Sequence, residues 1–184
     1  MDSNAKKMLW NMAGTAGLLM GLISTASMFI GQAMSTTQMP AFAVSVIGFV
    51  LWAAETGGCI YLMHLYMKKF AAACPEADNR ATFRMGMATA FLSALVYAAA
   101  SFANMAFISA DYYAEQFDMM MQQMAPMMDS NTATVMDKML SSMPQITFIS
   151  NLIYCFLFGT VLSAILSRNI PSRDPFADYK PDQQ

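Results

Sequence analysis

Charge is scarce in this sequence, and its scarcity excludes an ordinary soluble fold. Charged residues make up 12% of the 184 residues, about half the share of a typical soluble domain, while hydrophobic residues make up 57%. No charged residue occurs between Lys7 and Glu55. A short soluble chain cannot bury so much apolar surface, because small domains leave a large fraction of their surface exposed. A lipid bilayer removes this conflict, so the sequence predicts an integral membrane protein.

The residues on which most enzymes and metal sites depend are also few. The sequence has one histidine, His64, and three scattered cysteines, which argues against a zinc site and against a disulfide framework. It has no glycine-rich phosphate loop and no His-Glu-x-x-His pair, and no serine lies at the depth of a histidine or lysine base. The net charge of −2 gives no indication of a nucleic-acid partner. We therefore expect neither enzymatic activity nor a cofactor.

Four apolar segments are long enough to cross a bilayer, which takes about 20 residues. They cover residues 8–30, 41–66, 85–109 and 146–166. The sequence therefore predicts an all-α fold in which residues 1–168 form a single domain, a polytopic bundle of four transmembrane helices. Residues 169–184 contain three prolines and alternating charges, and we expect them to form a disordered tail.

Lysine and arginine are segregated along the sequence, which predicts the orientation of the helices. Nine of the ten flank the spans on one side of a four-helix topology, and only Lys138 lies on the other side. Because these residues are retained in the cytoplasm, both termini and the tail are predicted to be cytoplasmic, with residues 110–145 outside. Alternatively, the first helix is a signal peptide cleaved near Gly31-Gln32-Ala33, although its apolar run of about 22 residues exceeds the ~7–15 of a signal core.

Small residues recur at helical spacing in each span, and helices in lipid associate through such faces. The stripes or pairs are Gly14, Gly17 and Gly21; Ala54 and Gly58; Ala90, Ala94 and Ala98; and Gly159, Ser163 and Ser167. One interpretation is that these faces close a self-contained bundle, which is favoured because small residues are common in membrane helices. The alternative is that the Gly14–Gly17–Gly21 face docks a second protein.

Glu55 is the only acidic residue within the predicted spans. It lies about 20 Å along the second helix at 1.5 Å per residue, where an ionised carboxylate is costly. Such a group is expected to be neutral, paired or beside water. Hydroxyl groups at a similar depth are its candidate partners: Thr15, Ser93, Tyr97, Thr160 and Ser163. We interpret Glu55 as a structural hydrogen-bonding group, and the alternative is a proton- or ion-handling carboxyl with Gly57-Gly58 as a hinge.

The outer segment combines two amphipathic patterns with an excess of methionine. Nine of the 21 methionines lie between Met119 and Met143. Apolar residues at helical spacing predict an amphipathic helical hairpin between the third and fourth spans. Its candidate contact surface consists of Tyr113, Phe117, Met120, Met121, Met124, Met136 and Met139. Methionine is a flexible apolar residue that suits adaptable protein contacts, which is the favoured interpretation. The alternative is that the thioethers bind Cu(I), but no histidine or cysteine accompanies the methionines.

Three short stretches carry a resemblance to a known family. They are Ala81-Thr82-Phe83-Arg84-Met85-Gly86, Asp111-Tyr112-Tyr113, and Leu162-Ser163-Ala164-Ile165-Leu166-Ser167-Arg168 with the following Arg173-Asp174-Pro175-Phe176. With the four-span layout, they resemble a family of bacterial four-helix membrane proteins of unknown function that is common in Bacteroidota. The resemblance implies the inner membrane, with the outer segment in the periplasm. Such genes often neighbour polyprenyl-phosphate glycosyltransferases, which implies an accessory subunit.

The function favoured by these patterns is a non-enzymatic accessory or scaffolding subunit that binds another membrane protein, or a second copy of itself, within the lipid bilayer. The rival function is a small oligomeric transporter or ion-coupled carrier built around Glu55. One structural observation separates the two classes. A carrier needs a cavity that reaches Glu55, whereas a subunit needs an exposed face of small residues or methionines.

Overall fold

The described part of the chain is all α-helical, as predicted. The structure is a computed structural model that describes residues 3–37, 40–74, 78–124 and 130–170, and no strand occurs in these ranges. Its helices are α1 (Ser3–Ser35), α2 (Ala41–Ala73), α3 (Asn79–Ala103), α4 (Ala110–Met124), α5 (Ser130–Ser141) and α6 (Met143–Asn169). A π-helical segment, Asn104–Ile108, follows α3. The predicted tail covers residues 169–184; Asn169 is the last residue of α6, and residues 171–184 lie outside the described residues.

Four of the described helices are long and apolar enough to cross a membrane, and they indicate an integral membrane protein. They are α1, α2, α3 with its π-helical segment, and α6, which correspond to the four predicted spans. The helices are longer than predicted, because α1 and α2 each contain 33 residues. At 1.5 Å per residue each is about 50 Å long, compared with a hydrocarbon layer of about 30 Å. Their ends therefore extend beyond the apolar layer, where Lys6 and Lys69 lie.

α3 begins earlier than predicted, since residues 79–84 belong to the helix and not to the preceding loop. Asp78 caps this end: its carboxylate accepts a hydrogen bond of 2.8 Å from the backbone N–H of Ala81. Such a cap satisfies one of the donors that the first helical turn leaves free. The predicted start of the helix was based on the apolar run, which begins only at Met85. The polar first turn was therefore not predicted as part of the helix.

α1 packs against α3 through two of its four glycines, Gly17 and Gly21. A Cβ added at Gly17 would lie 2.7 Å from the Cβ of Leu92, and one added at Gly21 would lie 2.6 Å from the Cβ of Val96. These distances leave no room for a side chain, so the two glycines permit the close approach of the helices. Gly14 has open space at its Cβ position. α3 therefore covers Gly17 and Gly21 of the predicted docking face. Gly14 is the one glycine of that face that α3 does not cover.

A second face of α3 packs against α6, also through small residues. Gly159 and Ser163 are buried, and a Cβ added at Gly159 would lie 2.6 Å from the Cβ of Ala90. The Ser163 hydroxyl donates a hydrogen bond of 2.9 Å to the backbone oxygen of Phe83, close to Gly86. α3 is thus the central helix of the bundle, in contact with both α1 and α6.

α2 is attached to the bundle mainly by its second half. Three large side chains there are fully buried: Met63, Met67 and Phe70. In its first half the large side chains are exposed, including Phe42, Phe49 and Trp52. The helix runs without a break through Gly57 and Gly58, the position suggested for a hinge in the carrier alternative. α2 makes few contacts with α6, and a cleft remains between the two helices.

A polar cluster joins several helices at the end of the bundle where the π-helical segment leads into α4. Asn104 is fully buried, and its Nδ2 donates hydrogen bonds to Gln32 Oε1 at 2.8 Å and to the Tyr113 hydroxyl at 3.2 Å. Its Oδ1 accepts a bond of 2.9 Å from the Ser109 hydroxyl. An unpaired amide at this position would cost about 1–3 kcal/mol. The cluster therefore links α1 and α4 to the π-helical segment that follows α3.

Candidate functional site

Glu55 lines a cleft of about 410 Å³ whose walls come from α1, α2, α3 and α6. Most of the wall is apolar. The hydroxyl, amide and thiol side chains that share it with Glu55 are Ser24, Thr56, Ser93, Tyr97, Asn151, Tyr154 and Cys155. The cleft therefore places a carboxyl group, several hydroxyls and an amide inside the membrane-spanning part of the protein.

Two of the five predicted partners of Glu55 share the cleft with it, namely Ser93 and Tyr97. The other three do not line the cleft, and their hydroxyls donate to backbone oxygens of their own or a neighbouring helix: Thr15 to Asn11, Thr160 to Phe156 and Ser163 to Phe83. Equal depth along a helix does not determine the direction in which a side chain points. The predicted polar site around Glu55 is therefore corrected to Ser93 and Tyr97, together with residues that depth alone did not identify.

The carboxyl group of Glu55 has no bonding partner in the described part of the chain. It makes no hydrogen bond and no ion pair there, and the cleft is lined by no lysine, arginine or histidine. The side chain is half-buried. Ionisable groups inside membrane proteins usually pair with one another or face a water-filled cavity. Glu55 therefore shares the cleft with hydroxyl groups and, among the described residues, has no cation to pair with.

A second, smaller cavity lies beside Glu55, between α1 and the first half of α2. Its volume is about 190 Å³, and its walls include Ser27, Gly31 and Met34 of α1 and Val44 and Gly48 of α2. Trp52 and Glu55 line both cavities. The bundle is therefore open at Glu55 on two sides, and the smaller cavity extends from there along α1 toward α4.

The predicted outer contact surface is divided between α4 and α5, which are both amphipathic. A cavity of about 390 Å³ on α4 is lined by Tyr113, Phe117 and Met120 of the predicted set. Met121 and Met136 are half-buried, while Met124 and Met139 are exposed.

Tyr113 also belongs to the Asn104 cluster. Burial raises the pKa of its phenol, the neighbouring Tyr112 adds to this rise, and the hydrogen bond from Asn104 opposes it. Among the described residues, no group of three histidine, cysteine or acidic side chains is placed to hold a metal ion.

Two amide side chains of structural importance were not predicted from the sequence as site residues. Asn104 organises the polar cluster, and Asn151 lines the cleft. Each is a strongly polar residue within or beside an apolar run, and this is the signal that would have identified them. Amides in such a setting are expected to face other helices or a cavity, because lipid cannot satisfy their hydrogen bonds.

In the part of the chain that the structure describes, these features define an all-helical bundle with four membrane-length helices and a carboxyl-bearing cleft. The family described as "Protein of unknown function (DUF4199)" matches residues 15–168. The chain therefore belongs to the DUF4199 family. No curated protein and no solved structure matches it.

Proposed function

We propose that this protein is a non-enzymatic subunit of a membrane complex, and that a helix of another membrane protein occupies the cleft between α2 and α6. The observation that carries this proposal is the unpaired carboxyl group of Glu55, which has neither a hydrogen bond nor an ion pair in the described part of the chain. An ionised group within the membrane is costly unless it is paired or faces water. A partner helix with a lysine or arginine at the same depth supplies the missing cation.

The rim of the cleft supports the same proposal. Trp52 is 60% exposed and Tyr154 71% exposed, and both line the cleft from opposite helices. Large aromatic side chains around a polar centre are typical anchors of protein interfaces.

The proposed setting is the bacterial inner membrane, with both termini in the cytoplasm and residues 110–145 in the periplasm. The segregation of lysine and arginine along the sequence supports this orientation. The family resemblance suggests a polyprenyl-phosphate glycosyltransferase as the partner. In this arrangement the methionines of α4 and α5 form an additional contact surface outside the membrane.

Affinity purification of the tagged full-length protein from its native membrane tests the proposal. In a mild detergent, one membrane protein is expected to co-elute at a fixed stoichiometry. Glu55→Leu is expected to remove that partner, because it leaves the partner's cation unpaired. Glu115→Leu is the matched control, since Glu115 is an exposed acid of α4 that does not line the cleft. Recovery of the protein alone, or equal loss of the partner in both variants, would contradict the proposal.

A small ion-coupled carrier is the second candidate, and the two cavities that meet at Glu55 favour it. Such a carrier would be an oligomer, because four helices enclose little space. Its test is reconstitution of the purified protein into liposomes. Solute or proton movement that is abolished by Glu55→Gln and kept by Glu115→Gln would support the carrier and refute the subunit.

A further inference from the structure

A separate groove of about 320 Å³ lies at the other end of the bundle, where α1 and α3 begin. Two cationic side chains line it, Lys6 from α1 and Arg84 from α3. Its apolar wall includes Leu9, Trp10, Phe91 and Phe156. The groove shares no lining residue with the Glu55 cleft.

The cations of this groove lie at the boundary between polar and apolar sequence. Lys6 precedes the apolar run of α1, and Arg84 precedes that of α3. Both side chains are exposed, and neither forms an ion pair in the described ranges. Two unpaired cations beside one groove attract an anion, as basic pockets between transmembrane helices attract lipid headgroups.

The wall of the groove extends from these cations into the apolar layer. Phe91 lies seven residues beyond Arg84 on α3, which corresponds to about 10 Å along the helix. Its ring meets that of Phe156 edge to face, with 5.8 Å between centroids and an interplanar angle of 86°. Trp10 is 59% exposed and lies beside Lys6, at the depth where tryptophan marks the membrane interface.

We propose that this groove binds one anionic phospholipid, with the phosphate between Lys6 and Arg84 and an acyl chain along Leu9, Phe91 and Phe156. Only an amphiphile uses both parts of the groove, because a free phosphate makes no use of the apolar wall. A zwitterionic lipid brings a cation of its own close to Lys6 and Arg84. This proposal does not depend on the function of the Glu55 cleft.

Native mass spectrometry of the purified full-length protein tests the inference. The protein is titrated with phosphatidylglycerol, with phosphatidylcholine of the same acyl chains, with a single-chain polyprenyl phosphate and with inorganic phosphate. We expect one phosphatidylglycerol to remain bound at concentrations where the other three do not. Lys6→Gln and Arg84→Gln should each weaken binding roughly five-fold, the effect expected of removing one cation near a lipid surface.

Lys7→Gln is the matched control, because Lys7 is exposed on α1 beside Lys6 and does not line the groove. It should leave the affinity unchanged, which separates a defined site from general surface charge. Ala88→Phe, which fills the groove without altering charge, should also release the lipid. The proposal would be overturned if phosphatidylcholine bound equally well, or if the polyprenyl phosphate or inorganic phosphate bound more tightly. It would also be overturned if Lys7→Gln and Lys6→Gln weakened binding equally.

Discussion

Replacing Gly21 with alanine changes the closest contact between α1 and α3. The added Cβ would lie 2.6 Å from the Cβ of Val96, 2.8 Å from its Cγ1 and 3.0 Å from the backbone oxygen of Ser93. Because favourable carbon contacts require about 3.5–4.0 Å, the helices would have to separate locally by roughly 1 Å. Val96 cannot move aside easily, since a β-branched side chain in a helix has one strongly preferred rotamer.

We expect Gly21→Ala to lower the free energy of unfolding by about 2 kcal/mol, within the range of about 1–3 kcal/mol typical of overpacking. The matched control is Gly14→Ala on the same helix, where the new Cβ meets nothing within 4 Å. This control should be neutral, or stabilising by up to about 1 kcal/mol, because alanine is the better helix former.

Reversible unfolding in mixed detergent micelles, followed by circular dichroism, measures both variants against the wild type. The reasoning is refuted if Gly21→Ala unfolds within about 0.5 kcal/mol of the wild type, the scatter of a neutral surface substitution. It is also refuted if Gly14→Ala is as destabilising as Gly21→Ala, because the contact with α3 would then not be the cause of the destabilisation.

The remaining predictions concern topology, the polar cluster and metal binding. In a background without native cysteines, a membrane-impermeant reagent applied from outside should label Ser130→Cys and miss Glu76→Cys; the reverse pattern would invert the topology. Asn104→Leu should lower the free energy of unfolding by about 1–3 kcal/mol, because its buried hydrogen-bond partners are left unpaired. Its control, Gln116→Leu on the exposed side of α4, should lower it by less than about 0.5 kcal/mol. Titration of the full-length protein with Cu(I) against a competing chelator should show no submicromolar, stoichiometric site within residues 119–143. Such binding, if Met→Leu replacements in this segment abolished it, would contradict the prediction.

The four spans could be predicted because lipid imposes a length and a composition on any helix that crosses it. The ends of the helices could not be predicted from the apolar runs alone. Asp78 begins α3 with a polar turn, which resembles a loop until its hydrogen bond to Ala81 is seen. The small-residue stripes were predicted as packing faces, but the sequence does not say which helix each face contacts.

The polar site was only partly predictable, because depth along a helix leaves its rotation undetermined. Ser93 and Ser163 lie at similar predicted depths, yet Ser93 lines the cleft while the Ser163 hydroxyl is bonded to Phe83. The groove at Lys6 and Arg84 was not predicted, since these residues are far apart in the sequence and meet only when α1 packs against α3.

Site-specific photocrosslinking at the rim of the Glu55 cleft tests the central claim most directly. A photoreactive phenylalanine analogue replaces Tyr154 in the cleft or, as a control, Phe107, which is 76% exposed and lines neither cavity at Glu55. Irradiation of native membranes should join position 154, and not position 107, to one discrete membrane protein, and Glu55→Leu should abolish that product. Crosslinking to lipid alone at position 154, or the same protein product at both positions, would contradict the account.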